Sequence, residues 1–99
     1  AAQQEPQDAY IIDSLGWAHY LSGNYKKSID ILELAVTLLP NDATLNDHLG
    51  DAYWKDGRTE EALSQWKRIL IIDPNFEKIR EVEKKNFKRP LKYEYIFSC

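Results

Sequence analysis

The chain has 99 residues, 43% of them hydrophobic and 29% charged, with a formal net charge of −3. That length bounds it to one domain with a modest core, and its longest aliphatic run, residues 69–72, is far too short to cross a membrane. Residues 1–76 hold 6 basic and 12 acidic side chains, a balance that repels polyanions and argues against nucleic acid as a partner, whereas residues 77–99 hold 7 basic and 4 acidic ones.

Residues 1–6 end in Pro6 and read as the tail of an earlier unit. Asp8 is expected to cap a helix over residues 9–21, with Ile11, Ile12, Leu15, Ala18 and His19 at helical spacing facing inward. Gly23 and Asn24 make a turn. A second helix over residues 25–38 turns Ile29, Leu32, Ala35, Val36 and Leu39 inward and stops at Pro40. Asp42 caps a third helix over residues 43–55, and Asp56, Gly57 and Arg58 form the next turn. Thr59 is expected to cap a fourth helix, with Glu60 and Glu61 in its first turn and Ala62, Leu63, Trp66, Ile69 and Leu70 inward, ending at Asp73 and Pro74. Asn75 opens an expected capping helix over residues 75–88, whose one apolar stripe is Phe76, Ile79, Val82 and Phe87. Residues 89–99 are a basic, aromatic tail with Tyr93, Tyr95 and Phe97 in alternation. The lone cysteine, Cys99, excludes an internal disulfide.

The four main helices repeat. A step of 34 residues carries Asp13 to Asp47, Leu15 to Leu49, Gly16 to Gly50, Ala18 to Ala52, Gly23 to Gly57, and Pro6 to Pro40 to Pro74. Nine of the 35 pairs matched between residues 6–40 and 40–74 are identical, where ordinary composition gives roughly two. A fixed period of this size marks stacked supersecondary units.

The unit resembles the tetratricopeptide family, whose pattern is W-x2-L-G-x2-Y, then A-x3-F, then P. Residues 41–74 match at Leu49, Gly50, Tyr53, Ala62 and Pro74, with Trp66 in the Phe place. Residues 7–40 match at Leu15, Gly16 and Pro40, with His19, Ser28 and Leu32 in the Tyr, Ala and Phe places. The initial Trp place holds Ile12 and Asn46. Asn46 departs most, and Leu45 is expected to supply the packing it lacks. The resemblance implies an all-α solenoid of antiparallel helix pairs, about two full repeats and a capping helix. The wording around Asp13 and Asn46 also looks like that of bacterial repeat proteins, some of which work at the cell envelope.

In this family the first helix of each unit lines a groove. Here Tyr10, Asp13, Trp17 and Tyr20 fall on one stripe of the first helix, and Thr44, Asp47, Asp51 and Trp54 repeat it on the third. Aromatic rings on a rigid helix anchor interfaces, and carboxylates select basic partners. The reading is a non-catalytic scaffold for a basic or hydrophobic protein or peptide. A clamp for a peptide carboxylate is rejected, because this stripe would repel it. The alternative is an assembly module that stacks in a longer array or forms a homodimer through its C-terminal tail.

An enzyme is disfavoured. Two histidines and a terminal cysteine make no nucleophilic triad, and Gly23 and Gly57 are turn glycines rather than a phosphate cradle. His48 and Asp51 stand one turn apart, but no third metal ligand is evident. No cofactor is implied, and membrane contact, including binding of the basic tail to anionic lipid, is not expected.

Overall fold

The structure is a computed structural model that describes residues 6–74. It contains α1 (Pro6–Leu21), α2 (Tyr25–Leu38), α3 (Ala43–Lys55) and α4 (Thr59–Ile72). They form an all-α solenoid in which α1 packs on α2, α3 on α4, and α2 on α3, while α1 also touches α3. The expected capping helix and the basic tail lie outside the described residues.

The periodicity of the sequence is repeated in the backbone. After α1, Gly23 takes φ 85° and after α3 Gly57 takes φ 83°, a conformation that costs a side-chain-bearing residue but not glycine. Each glycine sits in a Schellman turn. Gly23 N–H donates to the Tyr20 carbonyl and Asn24 N–H to that of His19; Gly57 N–H donates to Trp54 and Arg58 N–H to Tyr53. The other helix ends match as well: the N–H groups of Leu39 and Asp73, 34 residues apart with φ −140° and −142°, close the last turns on Ala35 and Ile69.

Two starts differ from expectation. α1 begins at Pro6 instead of Ala9, which places Asp8 in its first turn, where its negative charge complements the positive end of the helix dipole. α4 has Arg58, not Thr59, at its cap position, and no side chain caps it. The Arg58 guanidinium instead forks onto Glu61, at 3.0 and 2.5 Å, and holds that carboxyl below its usual range. Asp42 does cap α3, its Oδ1 accepting from Leu45 N–H at 3.0 Å. Asp42→Ala is expected to cost about 1 kcal/mol, read as a lower urea midpoint with an unchanged m-value.

The main core joins α2, α3 and α4 through Ile29, Leu32, Leu49, Ala52, Tyr53, Ala62, Trp66 and Ile69. A second cluster of Ala9, Ala35 and Leu45 ties the start of α1 to α2 and α3. Small residues let the helices approach. A Cβ on Gly16 would lie 2.7 Å from the Leu32 side chain, and one on Gly50 would lie 2.6 Å from Cδ1 of Trp66. Ser28 replaces an apolar residue between α1 and α2 without leaving an orphan, because its hydroxyl donates to the Gly16 carbonyl at 2.8 Å.

The expected inward face of α1 is corrected in part. Ile12 is half-buried against the second cluster, and His19 is half-buried. Ile11 and Leu15, however, are 66% and 54% exposed, and Ala18 is exposed too. Helical spacing reports a stripe but not whether a neighbour covers it. The buried side of α1 is instead Ala9, Asp13 and Gly16.

Candidate protein-binding surface

α1 and α3 are the first helices of consecutive pairs, and side chains cross between them at three points. Tyr10, 44% exposed, donates its hydroxyl to Oδ2 of Asp42 at 2.5 Å. That carboxylate raises the phenol above its ordinary pKa. One turn on, Asp13 lies with its two oxygens 2.8 and 3.1 Å from Nδ1 of His48. His48 then stacks on Trp17 with ring centroids 4.1 Å apart. Trp17 also stacks on Tyr20, at 4.2 Å and 7° between planes, and Tyr20 meets the edge of Tyr25. Each such aromatic pair is worth roughly 0.5–1.5 kcal/mol beyond its buried area.

The eight stripe residues therefore occupy two depths. Tyr10 and Thr44 are exposed, and Trp17, Tyr20 and Trp54 are half-buried. Asp13, Asp47 and Asp51 are beneath them, at 7%, 3% and 1% exposure. Trp17, Tyr20, Tyr10 and Asp13 are brought together with α3, whereas Trp54 leans on Trp66, 5.5 Å away, as part of the core margin. The rings face outward more than the acids do.

His48 is the residue that the sequence pattern undervalued. As a partner of Asp51 it suggested only half a metal site, yet its ring engages Asp13 and Trp17 on the neighbouring helix. Among the described residues, no group of three His, Cys, Asp or Glu is placed to hold a metal ion. The signal available was its position, one residue after Asp47 on the stripe that the repeat sets against α1.

On another side, Tyr53 donates to Oε2 of Glu33 at 2.6 Å and lies under the Arg58 guanidinium, 4.8 Å from the ring centre. Burial, reinforced by the Glu33 hydrogen bond, pushes this phenol well above its ordinary pKa. Tyr53 lines a shallow cleft with Glu60, Glu61, Ser64 and Gln65. Its hydroxyl is committed to Glu33 and its ring to the core, so the cleft offers no reactive group from it.

No family model matches the chain. The peroxisomal targeting signal receptor of Candida albicans is 32% identical over 84 residues, which cover 81% of this chain and 14% of that protein. The receptor of the same name from Saccharomyces cerevisiae is 33% identical over 66 residues, 67% of this chain and 11% of the receptor. The tetratricopeptide repeat domain-containing protein PYG7, chloroplastic, of Arabidopsis thaliana is 34% identical over 67 residues, 68% of this chain and 22% of that protein. The chain belongs to the tetratricopeptide repeat family. It spans less than a quarter of the length of each of these relatives. They are fungal and plant proteins, so the bacterial resemblance finds no support in them.

Within the tetratricopeptide pattern, Asn46 fills the place of the initial Trp by a different chemistry. It is fully buried. Its Nδ2 donates to the carbonyls of Pro40 and Asp42, at 3.0 and 2.8 Å, and its Oδ1 accepts from Gln65 at 2.9 Å. The carbonyls of the α2–α3 turn, which water would otherwise satisfy, are thereby closed from inside. The matching places in the first pair are Ile12 and Ile31. An apolar couple in one repeat thus corresponds to an amide couple in the next. Leu45, expected to make up the packing, is indeed fully buried beside it.

Proposed function

We propose that this tetratricopeptide segment is a non-catalytic module that binds a basic or hydrophobic stretch of another protein along the surface shared by α1 and α3. The observation that carries the reading is the aromatic stack Tyr20–Trp17–His48, built from both helices and half-exposed, with Tyr10 beside it and Asp13 beneath. Rings pre-set by stacking lose little freedom on binding, which favours them as anchors. The buried carboxylates add a negative field that favours a cationic segment. Two of the relatives are named as receptors for a targeting signal, which supports recognition of another polypeptide in preference to catalysis.

The test is a binding titration against a panel of labelled peptides, basic-aromatic, neutral apolar and acidic. The wild-type chain is expected to prefer the first two. Tyr10→Ala and the double variant Trp17→Ala/Trp54→Ala should each weaken the preferred peptide, the double variant by about tenfold or more. Circular dichroism on the same samples separates loss of binding from loss of fold. Equal affinity for acidic and basic peptides, or unchanged affinity in the folded variants, would refute the surface reading.

A further inference from the structure

The contact between Asp13 and His48 fixes more than a distance. An ionised carboxylate only accepts hydrogen bonds, so the Nδ1 atom lying 2.8 and 3.1 Å from its two oxygens carries a hydrogen. In a neutral imidazole the other nitrogen, Nε2, is then a bare lone pair. Among the described residues Nε2 is neither hydrogen-bonded nor enclosed, in a side chain that is 18% exposed. The ring is held in place by Trp17, at 4.1 Å and 21° between planes, and Trp17 is backed in turn by Tyr20. A carboxylate on one imidazole nitrogen also makes the other more basic. The matching position in the first pair is Ser14, which spends its hydroxyl on the Tyr10 carbonyl, so the repeat itself does not call for an acceptor here.

We propose that Nε2 of His48 is the specificity-determining acceptor of the α1–α3 surface and that it takes the ammonium group of a lysine in the bound protein. The inference rests on the peptide-binding reading above and names the group recognised. Two observations select this group. Trp17 lies between Tyr20 and His48, so the faces of its indole are covered and a cation is not recognised by resting on them. What the stack offers instead is one lone pair, which suits a compact ammonium, whereas a guanidinium fork is matched by two parallel acceptors. Asp13 is a positioning residue in this arrangement: it holds the hydrogen on Nδ1 and thereby keeps Nε2 free of one.

Two measurements on the full chain test it, at about pH 8, above the range in which an imidazole ordinarily titrates. Heteronuclear NMR of the imidazole nitrogens needs no ligand. The His48 signals, assigned by their loss in His48→Phe, are expected to show hydrogen on Nδ1 and none on Nε2, and Asp13→Asn is expected to admit hydrogen to Nε2. Hydrogen on Nε2 of the wild-type chain, or a tautomer that Asp13→Asn leaves unchanged, would overturn the proposal. The second measurement titrates a basic peptide with lysine as its only cation against versions carrying arginine or trimethyl-lysine, which keeps the charge but has no N–H to donate. The lysine peptide should bind roughly tenfold tighter than the trimethyl-lysine one, and more tightly than the arginine one. In His48→Phe, which keeps a flat ring against Trp17 and whose fold is checked by circular dichroism, that ratio should fall to about one while a neutral apolar peptide binds as before. Equal affinity of the wild-type chain for lysine and trimethyl-lysine, or a ratio that survives His48→Phe, would overturn the acceptor role and leave the binding surface standing. Binding of none of these peptides would remove the surface and the acceptor role together. If His48→Phe does not fold, the wild-type tautomer and the wild-type ratio still decide the matter.

Discussion

Trp66→Ala is expected to lower stability by about 3–5 kcal/mol, against a total of roughly 5–15 kcal/mol for a domain of ordinary stability. The residue is fully buried and is the largest side chain so placed. It meets Gly50 of α3 on one side and the Trp54 ring on another, within the cluster that unites α2, α3 and α4. Removing it leaves a void that neighbours on rigid helices cannot close, so transfer and cavity costs add. Urea unfolding followed by circular dichroism measures the loss. Ile71→Ala is the control, because Ile71 lies on the same helix at 82% exposure and its truncation should change stability by about 0.5 kcal/mol or less. Near-equal effects of the two substitutions would mean that α4 is not held by this cluster.

Gly50→Ala should destabilise by about 1–2 kcal/mol even though alanine favours a helix over glycine by about 1 kcal/mol. The sign is decided by the obstacle. The new methyl would sit 2.6 Å from Cδ1 and 3.0 Å from Cε2 of Trp66, atoms of a rigid indole that is itself fully enclosed. At Gly16 the obstacle is Leu32, met at 2.7 Å through Cδ2 and Cγ, a side chain with two rotatable bonds. Gly16→Ala is therefore expected to cost less than Gly50→Ala. A double-mutant cycle checks the cause: in a Trp66→Leu background, Gly50→Ala should become neutral or stabilising. If Gly50→Ala lowers stability equally with and without the indole, the clash is not the reason.

The fold was legible where local chemistry decides. Asp42 as a cap, Gly23 and Gly57 as left-handed turns, and Pro40 after a helix each act through their own backbone, and each stands where the 34-residue period puts it. Legibility failed where the deciding partner is distant. The α1 stripe of Ile11, Leu15 and Ala18 looks the same in sequence whether or not a helix lies over it. Asn46 read as a defect in the family pattern because its three partners are a turn on one side and Gln65 on the other. Asp13 and His48 are 35 residues apart, and nothing in either local sequence announces that they meet. The candidate surface was legible as a stripe. Its depth was not, since a carboxylate is placed at the surface by default and only tertiary packing puts Asp47 and Asp51 beneath it.

The cross-link from Asp13 to His48, with Trp17 stacked on the imidazole, bears on how the chain acquires its structure. The packing of α1 on α2, α2 on α3 and α3 on α4 joins sequence neighbours, so the loops to be closed are short, a topology for which quick folding is expected. Such a string would also fray one rod at a time from its ends. A fastener between the first rod and the third makes that peeling cooperative, because α1 cannot depart without giving up contacts to both α2 and α3. Backbone amides of α1 should consequently exchange with solvent at rates near those of α3, and not at those of a loose terminal helix.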